Sequence, residues 1–408
     1  MGAGDRAGVM TRRVAVTGLG VVSPIGIGVA AFTGGLRSGR SGAAPARSFD
    51  TTGFEHDIAC EVPDFEEPAG VGRTSALAVA AARMAVEHAG APDLRERRGL
   101  VAIGSTMGES RDIDTLVAQE LADGPAGLDP AVVRRINAGR LSVSIAHELG
   151  LTDVEAVTIP TACAAGNYAI GYGYDVVRAG EAGFALCGGA DALCRKTFAG
   201  FYRLGAMAPE RCQPFDRGRR GMLTGEGAGV MLLEDLDSAR ERGAPILAEV
   251  LGYGLNCDAA HPVAPDAGSV ARCMRLALKN AAVKPEEVGF ISAHGTATKA
   301  NDIAEARAVK EVFGEESPPR TVSMKSMLGH TLGAASALAA IGCVVALTEG
   351  FIPPTINHVE TDPECGLDCV PNHAVPADLR VVQNNALAFG GNNAILLLGR
   401  YEAEAVAT

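Results

Sequence analysis

TIPTACAAGNYAIGYG, residues 158–173, sets Cys163 in a turn of small residues between an apolar run, EAVTIP (155–160), and a run with helical spacing, NYAIGYGYDVVRAG (167–180). Strand, tight turn, helix is the reading, and working outward it repeats. RRVAVTGLGVV (12–22), RGLVAIGST (98–106), FALCGGAD (184–191), GVMLLED (229–235), VGFISAHG (288–295), ALAFGG (386–391) and AILLLG (394–399) are short and continuously apolar, as buried strands are. Between them TSALAVAAARMAVEHAG (74–90), SVARCMRLALKNAAV (269–283) and DIAEARAVKEVF (302–313) carry apolar residues at helical spacing. The alternation predicts an α/β protein. The strand runs fall into a group ending near Glu234 and a group starting near Ile246, joined by the charged stretch DLDSARERGAP (235–245), which predicts two stacked α/β halves, 1–245 and 246–408.

Composition excludes several functions. The 408 residues are 47% hydrophobic, ample for a buried core, and the formal charge of −12 repels nucleic-acid phosphate. With 4% aromatics and no Trp, an aromatic-lined nucleic-acid groove is not expected. MGAGDRAGVMTRR (1–13) lacks the apolar core of a signal peptide, so a cytoplasmic location is expected. LGAASALAAIGCVVAL (332–347) is shorter than a membrane span and rich in Ala and Gly, which favours a buried helix. Ten cysteines without a secretory signal read as reduced thiols.

At a strand-to-helix turn Cys163 faces unpaired backbone N–H groups and the positive end of a helix dipole, and both favour a thiolate. A small buried hydrophobe is the competing reading. Histidines decide between them. Of eight, His294 ends a strand-like run in SAHGTATKANDIAE (292–305) and His330 lies in SMKSMLGHTLGAASA (323–337). Either alone reads more readily as a satisfied core group than as a catalyst, but together with Lys325 and AFGGNN (388–393) they form a catalytic constellation.

These motifs, with VAVTGLGVVSPIG (14–26), CQPFDRGRRGMLTGEGAGVMLLE (212–234) and NCDAAHPVAP (256–265), resemble in content and order the β-ketoacyl-[acyl carrier protein] synthases, KAS II-like condensing enzymes of the thiolase superfamily. The resemblance runs nearly end to end. It implies a thiolase-like fold, two βαβαβαββ halves stacked in five α-β-α-β-α layers, and a dimer. It implies decarboxylative condensation: Cys163 takes an acyl chain from a carrier-protein thioester, and malonyl carried on acyl carrier protein loses its carboxylate and attacks that chain. No cofactor or metal is implied, since the substrates ride on the carrier's 4'-phosphopantetheine.

By the same resemblance His294 and His330 donate to the extender's thioester oxygen, and the backbone N–H groups of Cys163 and Phe389 form the oxyanion hole, with the Phe389 ring as a gate. Lys325 forms a hydrogen-bonded ion pair with Glu305 and orients the histidines. Thr296 and Thr298 bind the pantetheine arm, strand-end capping being the blander reading. Met107 and Phe201 line the acyl pocket. Arg134, Arg135, Lys196 and Arg203 are candidates for docking the acidic carrier, or simply a solvated face. His358, Cys365, Cys369 and His373 supply zinc-ligand types, but their spacing fits no common zinc pattern and the segment resembles the family's connecting loop.

Ala297, Lys299 and AFGGNN depart from forms common in fatty-acid enzymes, and Asn301-Asp302 is similar to discrete polyketide ketosynthases. That favours a type II polyketide ketosynthase over housekeeping fatty-acid elongation by a KAS II enzyme. The partner would then be a cysteine-less homologue resembling a chain-length factor, and a second copy otherwise. A cysteine acyltransferase or hydrolase and a non-catalytic partner subunit are the alternatives from other classes.

Overall fold

The computed structural model describes residues 12–68, 70–137 and 139–402. The N-terminal stretch read for a targeting signal lies, up to residue 11, outside the described residues. Ten strands carry the architecture: β1 Val14–Ser23, β2 Gly99–Gly104, β3 Val154–Ile159, β4 Phe184–Asp191, β5 Gly227–Asp235, β6 Ala248–Cys257, β7 Val288–Ser292, β8 Arg320–Val322, β9 Val381–Leu387 and β10 Asn392–Gly399. Six helices pack on them: α1 Arg73–His88, α2 Arg140–Glu148, α3 Ala165–Arg178, α4 Ala267–Ala281, α5 Lys299–Phe313 and α6 Ala334–Glu349.

The strands run in the order β3-β2-β4-β5-β1 and then β6-β10-β9-β7-β8. Each half therefore has the same order, with its second strand parallel to the third and fourth and its fifth antiparallel to the fourth and first. A three-residue antiparallel contact, Val14–Val16 against Ala248–Val250, joins the halves. Helices α3 and α6 each follow the third strand of their half and touch strands of both halves. Helices α1 and α2 cover the outer face of the first half, and α4, with α5 on it, that of the second. These are the five layers the resemblance implies.

Burial explains the central layer. Helix α6 is buried from Ala334 to Leu347, because it has a sheet on each side, and this is the Ala- and Gly-rich run that looked marginal for a membrane. No helix among the described residues is long and apolar enough to cross a membrane. Small residues let backbones approach: a Cβ on Gly166 of α3 would lie 2.7 Å from the Ala337 N of α6.

Three strands escaped the hydrophobic pattern in whole or in part. In β6, Gly252 and Gly254 break the apolar run because α4 lies against them; their Cβ atoms would fall 2.8 Å from Ala281 N and 2.7 Å from Ala277 N. In β9 the interior residues are Gln383, Asn384 and Asn385, all buried, so the strand reads as polar. The run ALAFGG is strand only through Leu387, and the rest is a turn. Strand β8 has three residues, too few for periodicity.

Candidate active site

Chain reversal after β3 places Cys163. Ala162 has φ 47°, a left-handed backbone that strains any residue with a Cβ, and it starts the short turn Ala162–Ala164 that leads into α3. The second half repeats this device, Leu332 at φ 54° leading through Gly333 into α6. Cys163 and Gly333 thus stand at equivalent positions, and only the first carries a side chain.

Cys163 is 5% exposed and lines one cavity with His294, His330, Phe201, Thr296 and Phe389. The loop Val263–Pro265 and His261, which the sequence did not mark for a role, close another wall. The His294 and His330 rings are 5.5 Å apart, and Phe201 is 6.4 Å from His330 and 5.9 Å from Phe389 between ring centres. Phe389, at the mouth, is 37% exposed.

Hydrogen bonds fix both imidazoles. Leu332 N–H donates to His330 Nδ1 at 3.1 Å, so the ring proton sits on Nε2. The Lys325 ammonium lies 3.4 Å from His294 Nδ1 and can only donate, which gives that ring the same tautomer. Burial, reinforced by the Lys325 charge, holds both histidines well below the usual range, so both are neutral Nε2–H donors.

Lys325 and Glu305 do not meet as expected. Among the described residues no hydrogen bond or ion pair joins them; each holds His294 from a different side. Lys325 Nζ donates to the His294 carbonyl at 2.7 Å, while Glu305 accepts the N–H groups of His294 and Gly295, both at 2.8 Å, and the Asn385 amide at 2.9 Å. Burial moves their pKa values toward each other, pushing Lys325 down and Glu305 up. Asn385, hidden in the polar strand β9, escaped sequence reasoning.

The thiol differs from the expected thiolate. Burial pushes Cys163 up to about 11, against the pull of the Lys325 charge and of backbone N–H groups at Phe389 and at Cys163 itself. Those two N–H groups are the expected oxyanion-hole donors, and both are directed at the sulfur. At neutral pH the resting site holds S–H.

The remaining sequence assignments divide. The Thr296 and Thr298 hydroxyls are 2.9 Å apart on the cavity wall, and Thr298, at the N-cap of α5, makes no capping bond. Met107 lies outside this cavity lining and packs instead in the cluster of Phe198, Phe201 and Leu332 behind it. Arg134, Lys196 and Arg203 are exposed. Arg135 is a correction: it is spent on Asp112, with bonds of 2.9 and 3.0 Å, and is not free to dock. His358 is engaged by Asp216 at 3.6 Å, Thr361 at 3.0 Å and Cys369 at 3.6 Å, and among the described residues no group of three or more His, Cys, Asp or Glu is placed to hold a metal ion.

Comparison with known proteins places this geometry. Residues 11–239 match the family described as Beta-ketoacyl synthase, N-terminal domain, and residues 247–359 match Beta-ketoacyl synthase, C-terminal domain. The chain is 36% identical to 3-oxoacyl-[acyl-carrier-protein] synthase 2 of Synechocystis sp., over 97% of this chain and 100% of that protein. It is also 36% identical to Nodulation protein E of Rhizobium meliloti, over 95% and 99%. Among solved structures, "The ishigamide ketosynthase/chain length factor" is 60% identical with a TM-score of 0.95, over 96% of this chain and 100% of that one. A type II PKS acyl-carrier protein in complex with its ketosynthase bound to the hexaketide is 30% identical with a TM-score of 0.90, again over 96% and 100%. By its matched domains and its near full-length relatives, this chain belongs to the β-ketoacyl synthase family of acyl-transferring condensing enzymes.

Proposed function

We propose that this chain joins an acyl group on Cys163 to a malonyl unit on acyl carrier protein, as the ketosynthase subunit of a type II polyketide pathway. The observation that carries the chemistry is the pair of neutral histidines, each with Nδ1 occupied and Nε2–H free, sharing one cavity with Cys163.

In the first half-reaction Cys163 Sγ attacks the acyl thioester carbon. Charge on the tetrahedral oxygen falls to the N–H groups of Cys163 and Phe389, and the Sγ proton ends on the departing pantetheine thiol, so the exchange is proton-neutral. In the second, the malonyl carbon–carboxylate bond breaks and carbon dioxide leaves. The electron pair forms an enolate whose oxygen accepts from His294 and His330 Nε2–H. The enolate carbon attacks the acyl carbonyl and Cys163 leaves as thiolate, giving a β-ketoacyl thioester; the thiolate then takes one proton from solvent, which restores the resting S–H. Thr296 and Thr298 seat the pantetheine arm, Phe201 walls the acyl chain with Met107 packed behind it, and Glu305 and Lys325 hold His294. No cofactor enters either step.

The polyketide pathway is favoured by the higher identity to the ishigamide ketosynthase/chain length factor structure than to the fatty-acid relatives. The partner is then a cysteine-less homologue resembling a chain-length factor, with Arg134, Lys196 and Arg203 docking the acidic carrier in the cytoplasm. The two functional halves are 1–245, with the nucleophile, and 246–408, with the histidines. Incubating the pure protein with malonyl-carrier protein and a ladder of acyl-carrier proteins, alone and with such a homologue, tests this by product mass: chains longer by one ketide only with the homologue support the polyketide reading, and full activity alone supports fatty-acid elongation.

A further inference from the structure

Asp191 ends β4 fully buried, and its carboxylate is where four donors meet. Oδ1 accepts Ser105 Oγ–H at 2.8 Å and Met107 N–H at 3.0 Å; Oδ2 accepts Thr106 N–H at 2.8 Å and Gly333 N–H at 2.6 Å. Three donors belong to the loop after β2, which carries Met107. The fourth belongs to the turn that follows His330, in the other half of the chain.

That turn has little freedom. A Cβ on Gly333 would sit 2.6 Å from Ser105 Cα and 2.7 Å from Asp191 Oδ2. Its neighbour Leu332, at φ 54°, donates the N–H that fixes the His330 tautomer and buries its side chain in the same cluster as Met107 and Phe201. The second half uses the same device on its own loop: Glu305 accepts consecutive N–H groups of His294 and Gly295 after β7, as Asp191 accepts those of Thr106 and Met107 after β2.

We propose that Asp191 is a positioning residue that ties the acyl-side wall at Met107 to the orientation of His330, holding the nucleophile half and the extender half in register through one carboxylate. A carboxylate accepts at all four sites and no neutral side chain of that size does. The assignment rests on the two half-reactions proposed above, and it gives each a separate dependence on Asp191.

The Asp191→Asn variant separates them. Its amide nitrogen is tolerated at the Oδ1 position, where the Ser105 hydroxyl can turn to accept and only Met107 N–H is left facing a donor. At the Oδ2 position it would face two fixed backbone N–H groups. The oxygen therefore stays with Thr106 and Gly333, and the loss falls on the Met107 side. Acyl loading of Cys163, followed by intact mass, is expected to slow roughly tenfold while malonyl-carrier decarboxylation stays within about threefold of wild type. Asp191→Ala, which frees Gly333 as well, is expected to lose at least about tenfold in decarboxylation too. Equal losses in both half-reactions of Asp191→Asn, or no loss in either, would overturn the proposal, as would unchanged decarboxylation in a folded Asp191→Ala. Should Asp191→Ala not fold, the split in Asp191→Asn decides alone. A wild-type protein with neither half-reaction would instead overturn the functional reading itself.

Discussion

Lys325 Nζ lies 2.7 Å from the carbonyl oxygen and 3.4 Å from the Nδ1 of His294, so a single ammonium fixes both the backbone and the ring of that histidine. Replacing it by Met keeps the volume and removes both bonds. Decarboxylation should fall by about a hundredfold, because the His294 Nε2–H is no longer specified as the donor. Acyl loading should fall less, since Lys325 reaches Cys163 only through its charge. Separate assays of the two half-reactions check this.

The thiol should respond to pH as a buried one. With Cys163 pushed up to about 11, inactivation by iodoacetamide should rise about tenfold per pH unit across pH 7 to 9 without a plateau, because only the deprotonated fraction reacts. Mass mapping should find the adduct on Cys163. Cys187, Cys194 and Cys343 are buried away from the cavity, with thiols raised by that burial, and should stay unmodified.

The histidines give stability a predictable pH dependence. Both are neutral when folded, their pKa values depressed, and both take a proton on unfolding once the pH drops below about 6.5. The unfolded state then binds more protons, so stability rises with pH in that window and is lost as pH falls through it, by about 1.4 kcal/mol per pH unit for each histidine. Denaturant melts at pH 7, 6 and 5 of wild type and of His330→Asn, which keeps an acceptor for Leu332 N–H, should differ by this one-histidine slope. The buried carboxyls of Asp191 and Asp302, raised to about 6, bind protons in the folded state and oppose the fall equally in both proteins.

Assembly is the fourth point of test. Strand β3 ends the sheet with Glu155 and Ala156 exposed, an unpaired edge beside the turn that carries Cys163. A second chain is expected to cover it, and obligate interfaces of this kind bury on the order of 2,000 Å² or more. Light scattering at low concentration, alone and after co-expression with a cysteine-less homologue, should find a dimer; a monomer with full condensing activity would argue against a shared acyl tunnel.

Much of this was legible in the residues. Cys163 stands out because an apolar run, a small-residue turn and a helical run leave it nowhere else to be, and α6 reads as buried because Ala and Gly are what a helix between two sheets requires. The site's supports were not legible. Asp191 looks like the polar end of a strand, and its value lies in donors from residues 105–107 and 333 that no local pattern joins. Asn385 sits in a strand whose buried amides mimic a loop. Arg135 looked available until its partner Asp112, 23 positions away, came into contact. The Lys325–Glu305 pair failed as a direct bond because family resemblance transfers residues, and their contacts depend on where His294 lies between them.

The central claim is a division of labour between Cys163 and the two histidines, and half-reaction mass spectrometry tests it most directly. His294→Ala and His330→Ala should each abolish malonyl-carrier decarboxylation while Cys163 still accepts an acyl group at a reduced rate. Cys163→Gln should block acyl loading and leave decarboxylation intact or raised. Equal loss of both half-reactions in all three variants, with the fold preserved, would contradict it.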